Sequence, residues 1–188
     1  EGVHRGRSSA SVAQGRGWRR GRLWRGVRVP ASRSHHNADA GDALTDADYN
    51  VAIGMQALTA DTLGSRSTAM GFFALGSQNF TTATDVYNTA VGYSAGSAVT
   101  TGTHNTIVGG LAGDALTTGT GNTALGYGAL STENTGNKNT AVGRSALSLA
   151  DYNGDGNNVA VGYYAGVNIT SGTDSVFIGA TAGDSLST

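Results

Sequence analysis

The densest set of ligating side chains in the chain is Asp151, Asn153 and Asp155, three oxygen-bearing residues at alternate positions with Gly156 behind them. This spacing matches the first half of a calcium loop, in which alternate oxygens face one cation and the glycine makes the sharp turn. The acid that would complete such a loop is missing, since Gly162 stands in its place, and the backbone preferences of an Asn-Gly-Asp-Gly turn also account for the stretch. Asp151, Asn153 and Asp155 are therefore candidate calcium ligands, with a plain turn as the rival reading. The other acids (Asp114, Glu133, Asp174, Asp184) are expected in turns, capping them and solubilising the surface, and they form no evident pair for hydrolysis. His104 stands alone before Asn105, and the remaining histidines, His35 and His36 among them, lie near the N-terminus, so no Ser-His-Asp set is visible. There is no cysteine, hence neither a disulfide framework nor a thiolate zinc site. The chain reads as non-enzymatic, with no cofactor other than the candidate calcium.

A second set of residues has binding rather than catalytic chemistry. Phe72, Phe73, Tyr93, Tyr127, Tyr163 and Tyr164 all stand one or two residues after a recurrent glycine. Exposed rings in such a row make a stacking platform for sugars, or else a rim on which chain packs against chain. The drift to Gly110, Arg144 and Ala180 at equivalent places favours packing. Phe72, Tyr93, Tyr127, Tyr163 and Tyr164 are the candidate binding residues.

What positions these groups is a repeat. The phrase Asn122-Thr123-Ala124-Leu125-Gly126-Tyr127-Gly128-Ala129 has eight versions, centred on Gly54, Gly71, Gly92, Gly109, Gly126, Gly143, Gly162 and Gly179, at spacings of 17, 21, 17, 17, 17, 19 and 17 residues. A fixed period with small insertions marks a solenoid or array. Four residues before the glycine stands Asn or Ser, three before it Val or Thr, one before it an apolar residue, and three after it alanine in all eight copies.

Alternation makes the phrase a strand, with Thr123 and Leu125 on one face and Asn122, Ala124 and Gly126 on the other. The β-branched enrichment agrees. Gly then bends the chain where a side chain would obstruct the backbone, and the invariantly small Ala marks a second inward position. Threonine-rich segments at residues 99–103, 116–120 and 169–173 are predicted to form a second short strand, returning through a Gly turn. The whole is an all-β parallel β-solenoid of about eight rungs, with Asn and Ser in a hydrogen-bonded column. Its inward residues are small, so a lone chain encloses little apolar area, and association with copies of itself is expected.

Composition fits this reading. Glycine numbers 30 of 188 residues, about twice the usual share, and proline only one. The charge is split: residues 1–33 hold nine of the twelve basic residues and one acid, whereas residues 34–188 hold three basic and twelve acidic ones. The array is acidic, which argues against nucleic acid as its partner. The Arg- and Trp-containing stretch 16–28 reads either as an RGG-like arm or as a disordered leader, and residues 37–48 as an acidic linker or a poorly matched first rung. The domain organisation is thus a disordered basic leader and acidic linker over residues 1–48 and the repeat array over 49–188. No segment has the run of apolar residues needed to insert into a membrane.

The phrases Asn50-Val51-Ala52-Ile53-Gly54 and Ser175-Val176-Phe177-Ile178-Gly179 resemble the head repeat of trimeric autotransporter adhesins (YadA-like heads). The longer Asn-Thr-Ala-Val-Gly-Tyr form with Thr-Thr-Gly spacers is similar to arrays in bacteriophage tail fibres. The resemblance covers residues 49–188, about three quarters of the chain. It implies a left-handed parallel β-roll assembled as a homotrimer, placed outside the cell on a bacterial outer membrane or on a virion tail fibre, and binding host-surface proteins or glycans. Rungs of 17 residues or more are longer than those of many such heads. A competing function is ice binding by columns of threonine such as Thr101 and Thr118, which the spacers at Glu133-Asn134 and residues 149–157 interrupt.

Overall fold

The computed structural model describes residues 38–185. The leader, with stretch 16–28, His35 and His36, lies outside the described residues. The strand phrase forms β1 (Val51–Ile53), β3 (Thr68–Met70), β5 (Thr89–Val91), β6 (Thr106–Val108), β7 (Thr123–Leu125), β9 (Thr140–Val142), β11 (Val159–Val161) and β12 (Val176–Ile178). These eight lie side by side in chain order as one parallel sheet. Every pair is in strict register, Thr123 facing Thr106 and Thr140 and Leu125 facing Val108 and Val142, so each turn of chain is one coil of a β-solenoid of eight turns. At the usual strand separation of about 4.8 Å the stack is roughly 35–40 Å long. Residues 38–48 join it, Gly41 N–H donating to Ala57 O at 2.9 Å and Thr45 N–H to Thr62 O at 3.0 Å, as a partial turn ahead of the first coil.

Alternation sorts the strand residues as expected: Ala69, Ala90, Ile107, Ala124, Ala141 and Ala160 are fully buried, while the threonines and the apolar residues beside them face outward. The column glycine is required twice over. At Gly126 φ is +137°, and a Cβ there would lie 2.5 Å from the carbonyl oxygen of Gly143 in the next coil. The chain then turns inward through residues with positive φ, among them Gly128 (63°) and Leu130 (52°) in the fifth coil. Left-handed backbone is costly for leucine. Leu58, Leu75, Leu130 and Leu147 accept it because each is fully buried and donates its N–H to a carbonyl of the following coil, as Leu130 does to Ala146 at 3.1 Å.

Core volume is balanced from coil to coil. Where the inward strand residue is alanine, the residue six positions later is usually leucine (Ala69 with Leu75, Ala124 with Leu130, Ala141 with Leu147). Where it is large, that place is glycine in its own coil and in the coil before: Ile107 has Gly113 and Gly96, and Phe177 has Gly183 and Gly166. A Cβ on Gly96 would come within 2.8 Å of the Ile107 side chain, and one on Gly166 within 2.9 Å of Phe177. Conserved volume, rather than conserved residue type, keeps the interior filled.

The polar column runs as a side-chain to backbone ladder. Asn122 Oδ1 accepts the backbone N–H of Asn139 at 2.9 Å, and its Nδ2 donates to the carbonyl of Gly136 at 2.8 Å. Asn88, Asn105 and Asn158 make the same two bonds, so each asparagine ties a strand to the next coil and to its return segment. The two enlarged coils patch the ladder with borrowed groups. Where Ser67 is too short, buried Gln78 donates to its hydroxyl and to Asp61 Oδ2 and accepts from Asn88. In the 19-residue coil buried Tyr152 donates to Asn139 Oδ1 and accepts from Asn158 Nδ2 at 3.0 Å.

The second strand of each coil is less regular than the sequence predicts. Among the described residues, return strands form only as two short pairs, β2 (Gly64–Ser65) with β4 (Thr84–Asp85) and β8 (Gly136–Asn137) with β10 (Gly154–Asp155). The threonine segments at 99–103, 116–120 and 169–173 contain no strand. The N–H groups of Thr100, Thr101 and Gly102 converge on a single carbonyl, that of Thr117, which is a turn and not a ladder.

Candidate functional site

Exposed side chains form columns at five, three and one residues before the column glycine and one residue after it. The column after the glycine carries the predicted aromatic residues. Phe72 and Tyr93 stack with centroids 5.4 Å apart and planes 13° apart. Three coils on from Tyr93, Arg144 lies between Tyr127 and Tyr163, its guanidinium carbon 5.9 and 5.7 Å from their ring centroids. Its Nη1 also donates to the Tyr163 hydroxyl at 3.3 Å. Tyr164 meets Tyr163 edge to face at 4.4 Å and lies 5.7 Å from the same guanidinium. All five predicted binding residues therefore fall on one edge of the outward face, as two stacked groups separated at Gly110. In-register coils put these rings within stacking distance, because side chains at one offset recur at about the strand separation.

The sequence reading missed a matching column at the other edge, five residues before the glycine. Here Arg66 lies between Tyr49 and Tyr87, 5.2 and 5.8 Å from their centroids, and Tyr87 continues to His104 at 5.4 Å. Arg66 also pairs with Asp85. Aligning the repeats at this offset would have placed Tyr49, Arg66, Tyr87 and His104 in one row.

Between the two edges the outward face is apolar and threonine-rich. Met70, Val91, Val108, Leu125 and Val142 follow one another along the sheet beside Thr68, Thr89, Thr106, Thr123 and Thr140. Leu125 is 45% exposed and Ile178, in the last coil, 72%.

The calcium candidates sit differently from a loop's ligands. Gly154–Asp155 is strand, and the Asp155 carboxylate accepts from Lys138 Nζ at 2.5 Å and from Asn137 Nδ2 at 3.3 Å. The Lys138 ammonium holds the Asp155 carboxyl below the usual carboxylate range. Asn153 Oδ1 accepts from Thr135 Oγ1 at 2.5 Å. Asp155 and Asn153 thus both accept from side chains of the preceding coil. Among the described residues no group of three or more His, Cys, Asp or Glu side chains converges.

Glu133 departs from its expected place in a solubilising turn. It is fully buried, at the inward position held by Leu116 and Ile169 in other coils and by Asp61 in the first. Its Oε1 accepts from Gly136 N–H at 2.7 Å, as Asp61 Oδ1 accepts from Gly64 N–H at 3.1 Å, and its Oε2 has no hydrogen-bond partner. Burial pushes its pKa up, against the backbone N–H groups that lower it, and the nearby Asp151 adds to the rise. Burial also raises the Tyr152 hydroxyl to about 12. The carboxyl closes a turn from inside the solenoid. Family models, curated proteins and solved structures were compared with the chain, and none of them matches it.

Proposed function

We infer that the chain is a non-enzymatic structural and adhesive rod that works as a homotrimer, as the head of a surface adhesin or as a segment of a phage tail fibre. The observation that carries the reading is the outward face of the eight-stranded sheet, an unbroken apolar column beside a column of threonines. Contiguous apolar surface of this extent on a soluble protein marks an interaction site. A second copy is the occupant that fits, because in-register coils repeat the same kind of outward residue along the stack, and because the small inward residues leave a single chain marginal. The left-handed hand of the roll, the trimer and the extracellular setting are parts of this proposal, supported by the repeat's resemblance to adhesin heads. Host-surface proteins or glycans would meet the edges and the spacers, where residues vary between coils.

Sedimentation equilibrium tests the assembly: the full chain is expected to sediment as a trimer, and Leu125→Glu with Val108→Glu as a smaller species. A folded wild-type monomer would remove the trimeric reading. Ice binding is the second reading, favoured by the five-coil rank of Thr68, Thr89, Thr106, Thr123 and Thr140 rather than by Thr101 and Thr118. It requires the same face to be free, so a trimer together with no thermal hysteresis would exclude it.

A further inference from the structure

The protein twice fills the space between two tyrosines in alternate coils with an arginine. Tyr49, Arg66 and Tyr87 do so on one edge, and Tyr127, Arg144 and Tyr163 on the other, with the guanidinium carbon 5.2 to 5.9 Å from each ring centroid. A third pair in alternate coils, Tyr93 and Tyr127, has only Gly110 between them. Each of these two rings has a partner on its far side, Phe72 for Tyr93 and Arg144 for Tyr127, and among the described residues the two make no ring contact with each other. They are 60% and 54% exposed.

We propose that this open rung, with Tyr93 and Tyr127 as walls and Gly110 as floor, is a docking slot for an arginine side chain carried by another protein. A guanidinium is planar, so it lies flat against an aromatic face and is attracted by the ring quadrupole, whereas an ammonium offers only a point charge. The charge of the array fits: residues 34–188 hold twelve acids against three basic residues, so an approaching arginine meets a favourable field. Glycine keeps the slot open. An added Cβ would reach ordinary contact with Tyr127, 3.5 Å from its Cδ2, and a longer side chain rooted there would enter the space between the rings. The two filled sandwiches hold a guanidinium and no sugar-like group, which sets arginine ahead of a glycan as the occupant. This inference does not rest on the adhesive reading.

The test titrates the full chain, carrying isotope-labelled tyrosine, with N-acetyl-arginine amide, and follows the ring resonances. Saturable shifts at Tyr93 and Tyr127 are expected, with affinity about tenfold above that for N-acetyl-lysine amide, from two cation–π contacts that an ammonium makes less well. Gly110→Arg fills the slot from within, so it should abolish the shifts and raise the melting temperature, and Tyr93→Ala should abolish them without that rise. Equal affinity for lysine and arginine would reduce the site to surface charge and overturn the proposal. So would shifts that persist in Gly110→Arg, the absence of any saturable shift, or saturation by cellotetraose in place of arginine, which would make the slot a glycan site.

Discussion

Replacing Asn122 by alanine severs the polar column at its middle. In the wild-type chain the carboxamide satisfies two backbone groups that face no solvent, the N–H of Asn139 at 2.9 Å and the carbonyl of Gly136 at 2.8 Å, and it also accepts from Asn139 Nδ2 at 3.2 Å. Alanine at this position keeps the backbone and leaves both groups without a partner, since the site is 1% exposed. A buried polar group stripped of its partner costs about 1–3 kcal/mol, so the pair predicts a loss of about 2–6 kcal/mol, a large part of the stability of a domain this size. Ser175→Ala is the control. Its hydroxyl bonds to Thr173 O, at a partly exposed position in the last coil, and the expected cost is about 0.5 kcal/mol or less. Both variants would be measured by equilibrium denaturation in urea at one fixed protein concentration, because association adds to apparent stability. An Asn122→Ala loss below about 1 kcal/mol with an unchanged denaturant slope would refute the reasoning: the ladder would then be ornament on a fold held by its alanines and leucines.

Other expectations follow from the interior. Gly96→Ala puts a Cβ 2.8 Å from Ile107 Cδ1 at φ +58°, and should cost about 1–3 kcal/mol by overpacking, with part recovered when Ile107→Val is added; a full cost in the double variant would show that backbone strain alone is responsible. Glu133 has a raised pKa when folded, so the folded state takes up its proton more readily; its contribution is fully present below the ordinary value of 4.5 and is lost as pH rises through the raised one. Stability at neutral pH should therefore rise in Glu133→Gln, which keeps an acceptor for Gly136 N–H, and the acid-side gain seen in the wild type should shrink. Ala129→Glu buries a charge where no solvent reaches and should cost several kcal/mol, while Thr118→Glu, at an exposed position, should be tolerated. Calcium should leave the melting temperature unchanged, since Lys138 already neutralises Asp155; a calcium-dependent rise that Asp155→Ala abolishes would restore the calcium loop.

The strand phrase was readable because each of its positions has one local physical demand: a small residue inward, a β-branched one outward, and a glycine where a Cβ would strike the next coil's carbonyl. The return segment was not, because threonine suits a strand as well as an irregular turn, and what decided the matter was the convergence of three N–H groups on Thr117 O. Glu133 misled for a related reason. A glutamate in a polar spacer reads as surface, and only the coil stacked on it shows that its place is the one held by Leu116 elsewhere. The aromatic flank was visible one residue at a time, but the sandwiches around Arg66 and Arg144 depend on residues 17 to 21 positions apart meeting side by side.

By itself the sequence determined the repeat, its strand, its bend and the inward and outward faces, because those are set by the geometry of a single chain passing through one coil. The tertiary structure decided what happens between coils. It balanced Ile107 against Gly96 and Gly113, patched the asparagine ladder with Gln78 and Tyr152, paired Asp155 with Lys138 and Asn153 with Thr135, and left the rung at Gly110 open. Those are contacts between neighbours in the stack, and a linear reading holds such neighbours a full turn apart.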